Sequence, residues 1–189
     1  KKFYPIKNKL LNLFDFYFSE LSDKDHLDSF DCGEKQINDF LKDDAVNFQN
    51  EKMTNTFIFK NKNDKVVIFF SISNDCLNDI RYENTIWNRL HRKINLPNQK
   101  RIRQYPSVKI TQLGIDKSIQ GNGMSHQVLD FIKFWTFQHH KPACRLLILD
   151  SLNKEIQIKT YLKNDFVFLS DLDKEKKHRF MYFDLLRLE

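Results

Sequence analysis

The segment from Gly114 to Ser125 contains the residue types of a loop that binds phosphate. Three of the chain's four glycines, Gly114, Gly121 and Gly123, fall within ten residues of one another. They lie between a predicted strand and a predicted amphipathic helix, so the chain turns tightly there. The first N–H groups of a helix have no intrahelical acceptor, and the helix dipole favours an anion beside them. The segment therefore indicates a site for a phosphorylated ligand.

Two common phosphate loops do not fit this segment. A Walker A loop ends in Gly-Lys-Ser/Thr, which is absent. A dinucleotide-binding fingerprint needs a third glycine where His126 stands, and an acid about 20 residues on, where the chain has His139, His140 and Lys141. The letters QGNGMS at positions 120–125 fit a third pattern, Gln/Arg-x-x-Gly-x-Gly/Ala. On this segment alone, a plain strand–helix turn with glycine caps is an equally good interpretation.

The composition describes one globular domain with surplus positive charge. The chain has 189 residues, of which 41% are hydrophobic and 30% charged, so we assign residues 1–189 to a single domain. Its net charge of +6 suits a polyanionic partner. The sequence has neither an apolar run of about 20 residues nor a signal-peptide pattern, so we expect a cytoplasmic protein without membrane contact. Cysteine and histidine spacing matches no metal site, and none is expected.

Hydrophobic periodicity predicts a mixed α/β domain. Helices are predicted over 37–48, 80–92, 124–135 and 154–163, and a loop around Pro97. Strands are predicted over 16–21, 54–60, 66–73, 108–115, 144–149, 167–169 and 179–186. This order of elements indicates a central sheet with helices on both faces.

Four segments, in order, resemble the GNAT superfamily of N-acetyltransferases, in the branch that includes toxin–antitoxin acetyltransferases. They are FDCGEKQINDFLKDDA from residue 30, YPSVKITQLGIDKSIQGNGMSHQVLDFIKFW from 105, CRLLILDSLNKEIQIKTYLKNDFVFL from 144 and HRFMYFDL from 178. The resemblance spans roughly residues 16 to 186. It implies the GNAT fold, a mostly antiparallel twisted sheet of six to seven strands that splays between the fourth and fifth, with helices on both faces. It also implies direct transfer of an acetyl group from acetyl-CoA to a primary amine, without a metal.

The resemblance assigns cofactor contacts to particular positions. The fourth strand pairs with the pantetheine arm of CoA, and Gly114 lets the cofactor come close. A contact with CoA and a cap on the following helix are equal alternatives for Asn153. The implied cofactor-binding residues are Leu113, Gly114 and Ile115 for pantetheine, Gln120, Gly121, Asn122, Gly123, Met124 and Ser125 for pyrophosphate, and Asn153.

The resemblance also makes Tyr161 the general acid that protonates the departing CoA thiolate. The alternative is an aromatic ring packed between helix and sheet. The sequence departs from the family pattern at three positions. Ser125 stands for Gly or Ala and either crowds the phosphate or donates to it, Thr160 stands for Phe, and Asp165 stands for Gly. Aspartate tolerates a left-handed backbone, so the turn at Asp165 is expected to survive.

A general base is missing from the predicted fourth strand, which contains no acid and has Gln112 where close relatives often have Arg. Asp75 is the nearest candidate. Without a base, an α-amine, with a pKa near 7.7–8.0, is a better acceptor than a lysine amine near 10.4. A peptide N-terminus and an aminoacyl group on tRNA both carry such an amine, and a small amine is a further candidate.

The stretch between Asn84 and Ile115 contains no acidic residue. It could follow the phosphates of tRNA, contact those of CoA, or be a solvated loop. Its basic residues are Arg89, Arg92, Lys93, Lys100, Arg101, Arg103 and Lys109, with Trp87, His91 and Tyr105 among them. The resemblance adds an antitoxin and a second copy of the chain as candidate partners. A catalytically weak CoA-binding or nucleic-acid-binding module on the same fold is the alternative function.

Overall fold

The computed structural model describes residues 11–95, 102–139 and 142–189. The helices are α1 (Lys35–Asp39), α2 (Ala45–Asn50), α3 (Asn84–Ile94), α4 (Met124–His139) and α5 (Glu155–Lys163). The strands are β1 (Tyr17–Glu20), β2 (Asn55–Lys60), β3 (Val66–Asn78), β4 (Gln104–Ile115), β5 (Leu146–Leu152), β6 (Val167–Phe168) and β7 (His178–Asp184). A π-helical turn (Phe40–Asp44) joins α1 to α2.

The strands form one seven-stranded sheet in the order β1-β2-β3-β4-β5-β7-β6. Every neighbouring pair is antiparallel except β4 and β5, which run parallel. The mixed α/β class and the mostly antiparallel sheet predicted from the sequence are therefore confirmed.

The two parallel strands separate part of the way along their length. Residues 107–110 of β4 pair with residues 146–149 of β5. Beyond that point β4 continues to Ile115 beside β3, and β5 continues to Leu152 beside β7, without pairing with each other. This is the splay that the sequence resemblance implies.

A β-bulge lies at the point of separation. Ser71 of β3 lies opposite Gln112, but the next residue, Ile72, lies opposite Ile110, so Thr111 has no partner in the ladder. The Thr111 hydroxyl instead donates to the Ser71 carbonyl at 3.1 Å. A bulge bends its strand and increases the local twist, so it turns the end of β4 away from β5.

Helices cover both faces of the sheet, as predicted. On one face α4 buries an apolar stripe of Met124, Val128, Leu129 and Ile132. The opposite face carries α3, with buried Trp87, Leu90 and Ile94, and the α1–α2 segment, with buried Leu41 and Ala45. The order of elements along the chain therefore places the end of β4 and the glycine loop directly before the well-anchored helix α4.

The predicted element boundaries differ from the structure mainly around α3. Strand β3 runs on to Asn78, and a 3₁₀ turn follows, in which the N–H of Ile80 donates to the Asn78 side chain. Helix α3 therefore starts at Asn84 rather than at Ile80. The loop predicted around Pro97 lies outside the described residues. No helix in the described part of the chain is long and apolar enough to cross a membrane.

Candidate active site

A cavity of about 580 Å³ lies where β4 and β5 separate. Its walls come from the ends of both strands, the loop before α1, the glycine loop and one side of α5. Predicted site residues that line it are Leu113, Gly114, Ile115, Gln120, Gly121, Ser125 and Tyr161. Asn122, Gly123 and Met124 continue the glycine loop next to it in the chain.

Two strand edges face this cavity. Residues 113–115 of β4 pair with β3 on one side only, because β5 has already turned away. Residues 150–152 of β5 likewise pair only with β7. Backbone N–H and C=O groups on such edges can pair with amide groups of an extended ligand, as in strand addition.

Glycine is needed at position 114 because the neighbouring side chains leave no room for a β-carbon. A β-carbon at this position would lie 2.5 Å from Cε1 of Phe69 and 3.0 Å from Cζ of Phe30. Both phenyl rings are fully buried in the cluster that packs α1 and α2 on the sheet. The packing of these two rings therefore requires glycine at this position, and its role in letting a ligand come close stays a prediction.

The glycine loop presents a row of unbonded N–H groups. Gly121 and Gly123 have φ values of +80° and +71°, and a β-carbon on either would meet nothing within 4 Å. Glycine is favoured here by backbone conformation, because most L-residues rarely adopt positive φ. Within the described part of the chain, the N–H groups of residues 121–125 donate to no acceptor. Consecutive N–H groups before a helix form an anion-binding concavity.

The side chains of Gln120 and Asn122 are already occupied. The Gln120 amide donates to the carbonyls of Cys32 at 2.9 Å and Ile115 at 2.7 Å. The Asn122 amide donates to the Gln120 carbonyl at 3.2 Å. These bonds fix the loop and tie it to the segment before α1. The backbone N–H groups, rather than the Gln120 amide, are left for an anion.

Asn153 has a role that the sequence analysis did not consider. Its amide donates to the carbonyls of Lys174 at 2.8 Å and Lys176 at 2.9 Å, and so fastens the loop before β7. The alternative that Asn153 caps the next helix is wrong, because the cap residue of α5 is Lys154. The side chain does not line the cavity, and its contact with CoA stays a prediction.

Tyr161 combines packing with a free hydroxyl. Its ring meets Phe166 edge-on, with 5.7 Å between the ring centroids, and it lines the cavity. The hydroxyl makes no hydrogen bond within the described residues. Burial raises the pKa of Tyr161 to about 12, so the phenol keeps its proton at neutral pH. The turn after α5 survives as expected, with Asp165 at φ 63°.

Two ion pairs join opposite walls of the cavity. Lys154 at the start of α5 contacts Glu34 at 2.6 Å, and Lys117 after β4 contacts Asp31 at 2.8 Å. The hydrogen bond from Lys117 is the largest cause that holds the pKa of Asp31 well below its usual value. Of these four residues, Glu34 and Lys117 line the cavity.

A second cavity, of about 1000 Å³, lies next to the first. The two cavities share Ile110, Thr111, Asp150 and His178 in their linings, so they meet where the strands part. Asp150 pairs with Lys109 at 2.7 Å, and its side chain is 43% exposed. Sequence reasoning missed Asp150, although an acid that ends a buried apolar strand was the available signal.

Asp75, the carboxylate predicted as a base, lines only the second cavity. It is exposed, and its Oδ1 accepts the N–H of Cys76 at 2.6 Å. Within the described residues, no group of three or more His, Cys, Asp or Glu side chains is placed to hold a metal ion.

The basic stretch is only partly available to a ligand. Trp87 and Tyr105 are each 1% exposed and belong to the core, so the aromatic residues do not form a surface for stacking bases. Arg89 donates to the Leu169 carbonyl at 2.8 Å.

Other members of the stretch are paired or lie outside the described residues. Arg103 pairs with Asp79 at 3.1 Å. Arg92 and Lys93, on the last turn of α3, are exposed, whereas Lys100 and Arg101 fall in the part that the structure does not describe. Free positive charge in the described part of this stretch is therefore concentrated at the end of α3.

Solved structures match the chain over nearly its whole length. AtaT complexed with acetyl-methionyl-tRNAfMet matches with a TM-score of 0.69 and 20% identity, over 92% of this chain and 97% of that one. AtaTR bound with AcCoA matches with a TM-score of 0.67 and 22% identity, over 93% and 96%. A Tyr-to-Phe mutant of KacT matches with a TM-score of 0.68 and 19% identity, over 93% and 99%.

AtaT is a toxin that has been solved with its antitoxin AtaR, which agrees with the toxin–antitoxin branch that the sequence resembles. No protein-family profile and no curated protein sequence matches the chain. At these identities the structural likeness establishes the fold, and the GNAT fold expected from the sequence is confirmed.

Proposed function

We propose that the protein is an N-acetyltransferase that uses acetyl-CoA and acetylates a primary amine by direct attack on the thioester. One observation carries the proposal. A row of unbonded N–H groups over residues 121–125 adjoins a cavity that opens between the parted ends of β4 and β5. The row suits a pyrophosphate, and the cavity suits an extended arm that ends in a thioester.

The residues of the cavity fit the parts of CoA in order. Backbone groups of Leu113, Gly114 and Ile115 would pair with the pantetheine amides along the free edge of β4. The N–H groups of residues 121–125 would hold the pyrophosphate, and the Ser125 hydroxyl, which has no partner in the described part of the chain, would be a further donor. Lys117 would add a positive charge near the phosphates. Bound acetyl-CoA would supply the acetyl group as an activated thioester.

Tyr161 would complete the transfer. Tyr161 lines the cavity, and its hydroxyl keeps its proton at neutral pH, so it would protonate the thiolate that leaves when the C–S bond breaks. Solved structures of two of the similar toxins carry a tyrosine changed to phenylalanine, which supports the importance of a tyrosine in this fold.

We propose an α-amine as the acceptor, and aminoacyl-tRNA as its source. The exposed Arg92 and Lys93 at the end of α3 supply positive charge for a nucleic acid. AtaT has been solved with acetyl-methionyl-tRNAfMet, which supports the same class of acceptor for this chain. AtaT has also been solved with the C-terminus of the antitoxin AtaR, and we propose a comparable antitoxin partner here.

Two measurements on the purified full chain test the proposal. Calorimetry should detect binding of acetyl-CoA, and labelled acetyl-CoA should transfer its label to charged total tRNA. Uncharged tRNA is the matched control, because it offers the same phosphates without the α-amine. Absence of acetyl-CoA binding would refute the cofactor assignment. Binding without transfer to charged tRNA, free peptides or polyamines would favour the weak CoA-binding module.

A further inference from the structure

Asp150 occupies a position that no other described carboxylate shares. Among the residues that the structure describes, it is the one carboxylate that lines both cavities. The last paired residues of β4 and β5 are Ile110 and Leu149, so Asp150 is the first β5 residue beyond the ladder. Its backbone stands at the apex of the splay, where an acceptor from the larger cavity meets the end of the pantetheine arm.

The side chain of Asp150 is held in place by an ion pair and is still accessible to water. Lys109 Nζ contacts Oδ2 at 2.7 Å, and Oδ1 accepts no hydrogen bond within the described residues. At 43% exposure the carboxylate can exchange a proton with water. A fixed carboxylate with one free oxygen is suited to receive a hydrogen bond from an amine.

The other carboxylates around the two cavities each line only one of them. Glu34 pairs with Lys154 at 2.6 Å, on the wall formed by the segment before α1. Asp173 accepts from Arg179 at 2.8 Å and from the N–H of Phe180 at 2.6 Å. Asp75 accepts from its neighbour Cys76 and does not reach the smaller cavity.

We infer that Asp150 receives the acceptor amine and takes its proton as the amide bond forms, an inference that rests on the proposed acetyl transfer. The nitrogen lone pair bonds to the thioester carbon, and the C=O electron pair moves to oxygen. The nitrogen now carries a positive charge, and one of its protons passes to the free oxygen of Asp150. The C–S bond then breaks as the C=O bond re-forms, and the leaving sulfur takes a proton from Tyr161.

A carboxylate is a sufficient base for this step. The nitrogen is more acidic than a free ammonium ion once it is bonded to the tetrahedral carbon, so the base need not deprotonate a free ammonium ion. Lys109 fixes the orientation of the carboxylate and acts as a positioning residue. The absence of an acid on β4 is thereby explained, because the neighbouring strand supplies one at the same depth in the cleft.

Substitution at Asp150 tests the inference on the full-length protein. Acetyl-CoA binding is measured first. Transfer is then measured with charged total tRNA, a free-N-terminus peptide mixture and spermidine, and the acceptor that reacts fastest is used to compare the variants. Asp150→Asn should lower kcat/KM by a factor on the order of 10² and leave acetyl-CoA affinity unchanged. Asp43→Asn, an exposed carboxylate on the π-helical turn, is the matched control.

Two further readouts separate a base from a structural role. Formate should restore part of the activity of Asp150→Ala, because a small carboxylate can enter the space left by the side chain. Lys109→Gln should lower the rate less than Asp150→Asn, and the double variant should stay as slow as Asp150→Asn.

Each other outcome has a distinct meaning. Wild-type rates in Asp150→Asn would overturn the inference, and so would recovery of activity in the double variant, since Asp150 would then only neutralise Lys109. Failure of the wild type to acetylate any of the three acceptors would also overturn it, because Asp150 would have no amine to receive. Failure to bind acetyl-CoA at all would refute the proposed function itself.

Discussion

Gly114 and Phe69 are packed so closely that a β-carbon on Gly114 would lie 2.5 Å from Cε1 of the phenyl ring. Gly114→Ala should therefore destabilise the fold by about 1–3 kcal/mol through overpacking. Urea unfolding would measure the loss. The double variant Phe69→Leu/Gly114→Ala should lose less than the sum of its single variants, because leucine gives the methyl group room. Gly114→Ala with wild-type stability would show that the rings yield at no cost.

Gly123 should be sensitive to charge rather than to size. Its φ of +71° is tolerated by Asn and Asp, and the space around a β-carbon is open. Gly123→Asn should keep most of the acetyl-CoA affinity. Gly123→Asp should lose on the order of 10³-fold, because two like charges 4 Å apart repel by about 4 kcal/mol at an effective dielectric constant near 20. Calorimetry on both variants checks this, and equal affinities would place the pyrophosphate elsewhere.

Asp116 should give the fold an acid-sensitive component of stability. It is 4% exposed and accepts from the N–H of Asp31 at 3.0 Å and of Ser118 at 2.9 Å. Burial raises the pKa of Asp116, but the bonds from Ser118 and Asp31 outweigh burial and lower the pKa below its usual value. The ionised form thus stabilises the native state above the ordinary carboxyl pKa of about 3.9, and this contribution is lost as the pH falls below it.

Asp116→Asn should therefore be less stable than the wild type at neutral pH. The difference in unfolding free energy between the two proteins should shrink as the pH falls from about 5 to about 2. Denaturant titrations at a series of pH values would measure it, with the exposed Asp43→Asn as the control. A difference that stays constant with pH would show that the hydrogen-bond geometry, rather than the charge, stabilises this junction.

The fold was largely predictable from the sequence because its signals are local. The stripe on α4, the apolar run of β5 and the glycines at positive φ are each visible within a short window. The order of these segments indicated a mixed α/β domain, and the resemblance of four segments to GNAT N-acetyltransferases implied the GNAT fold. The left-handed turn at Asp165 was also predictable, since it depends on one residue type at one helix end.

Features that depend on contacts between distant residues were not predictable. The sequence around Thr111 does not predict a bulge, because the register with β3 decides which residue is left unpaired. The need for glycine at position 114 comes from the packing of Phe30 and Phe69, which are far away in sequence. The sequence analysis did not single out Asp150, because only the parting of β4 from β5 brings it to the point where the two cavities meet.

Exposed basic residues at the end of α3 should contribute to binding of tRNA. Arg92→Ala/Lys93→Ala should weaken tRNA binding and flatten its salt dependence, because each lost phosphate contact reduces the slope of log affinity against log salt by about 0.7–0.9. Arg103→Ala should change the slope less, since Arg103 is paired with Asp79 at 3.1 Å. Filter binding at several salt concentrations measures both. Identical slopes for the double variant and the wild type would favour a peptide or small amine as acceptor.

Tyr161→Phe should separate the two roles of this side chain, since the ring contact with Phe166 remains when the hydroxyl is removed. With a pKa of about 12, the phenol lies roughly 3.5 units above a thiol near 8.5, so proton transfer to the free thiolate would be uphill by about 5 kcal/mol. Single-turnover release of the CoA thiol should slow by a factor on the order of 10²–10⁴, with acetyl-CoA affinity unchanged. Tyr17→Phe, at a site 65% exposed on β1, is the matched control and should react like the wild type. Equal rates for Tyr161→Phe and the wild type would leave Tyr161 with packing alone and assign thiolate protonation to water.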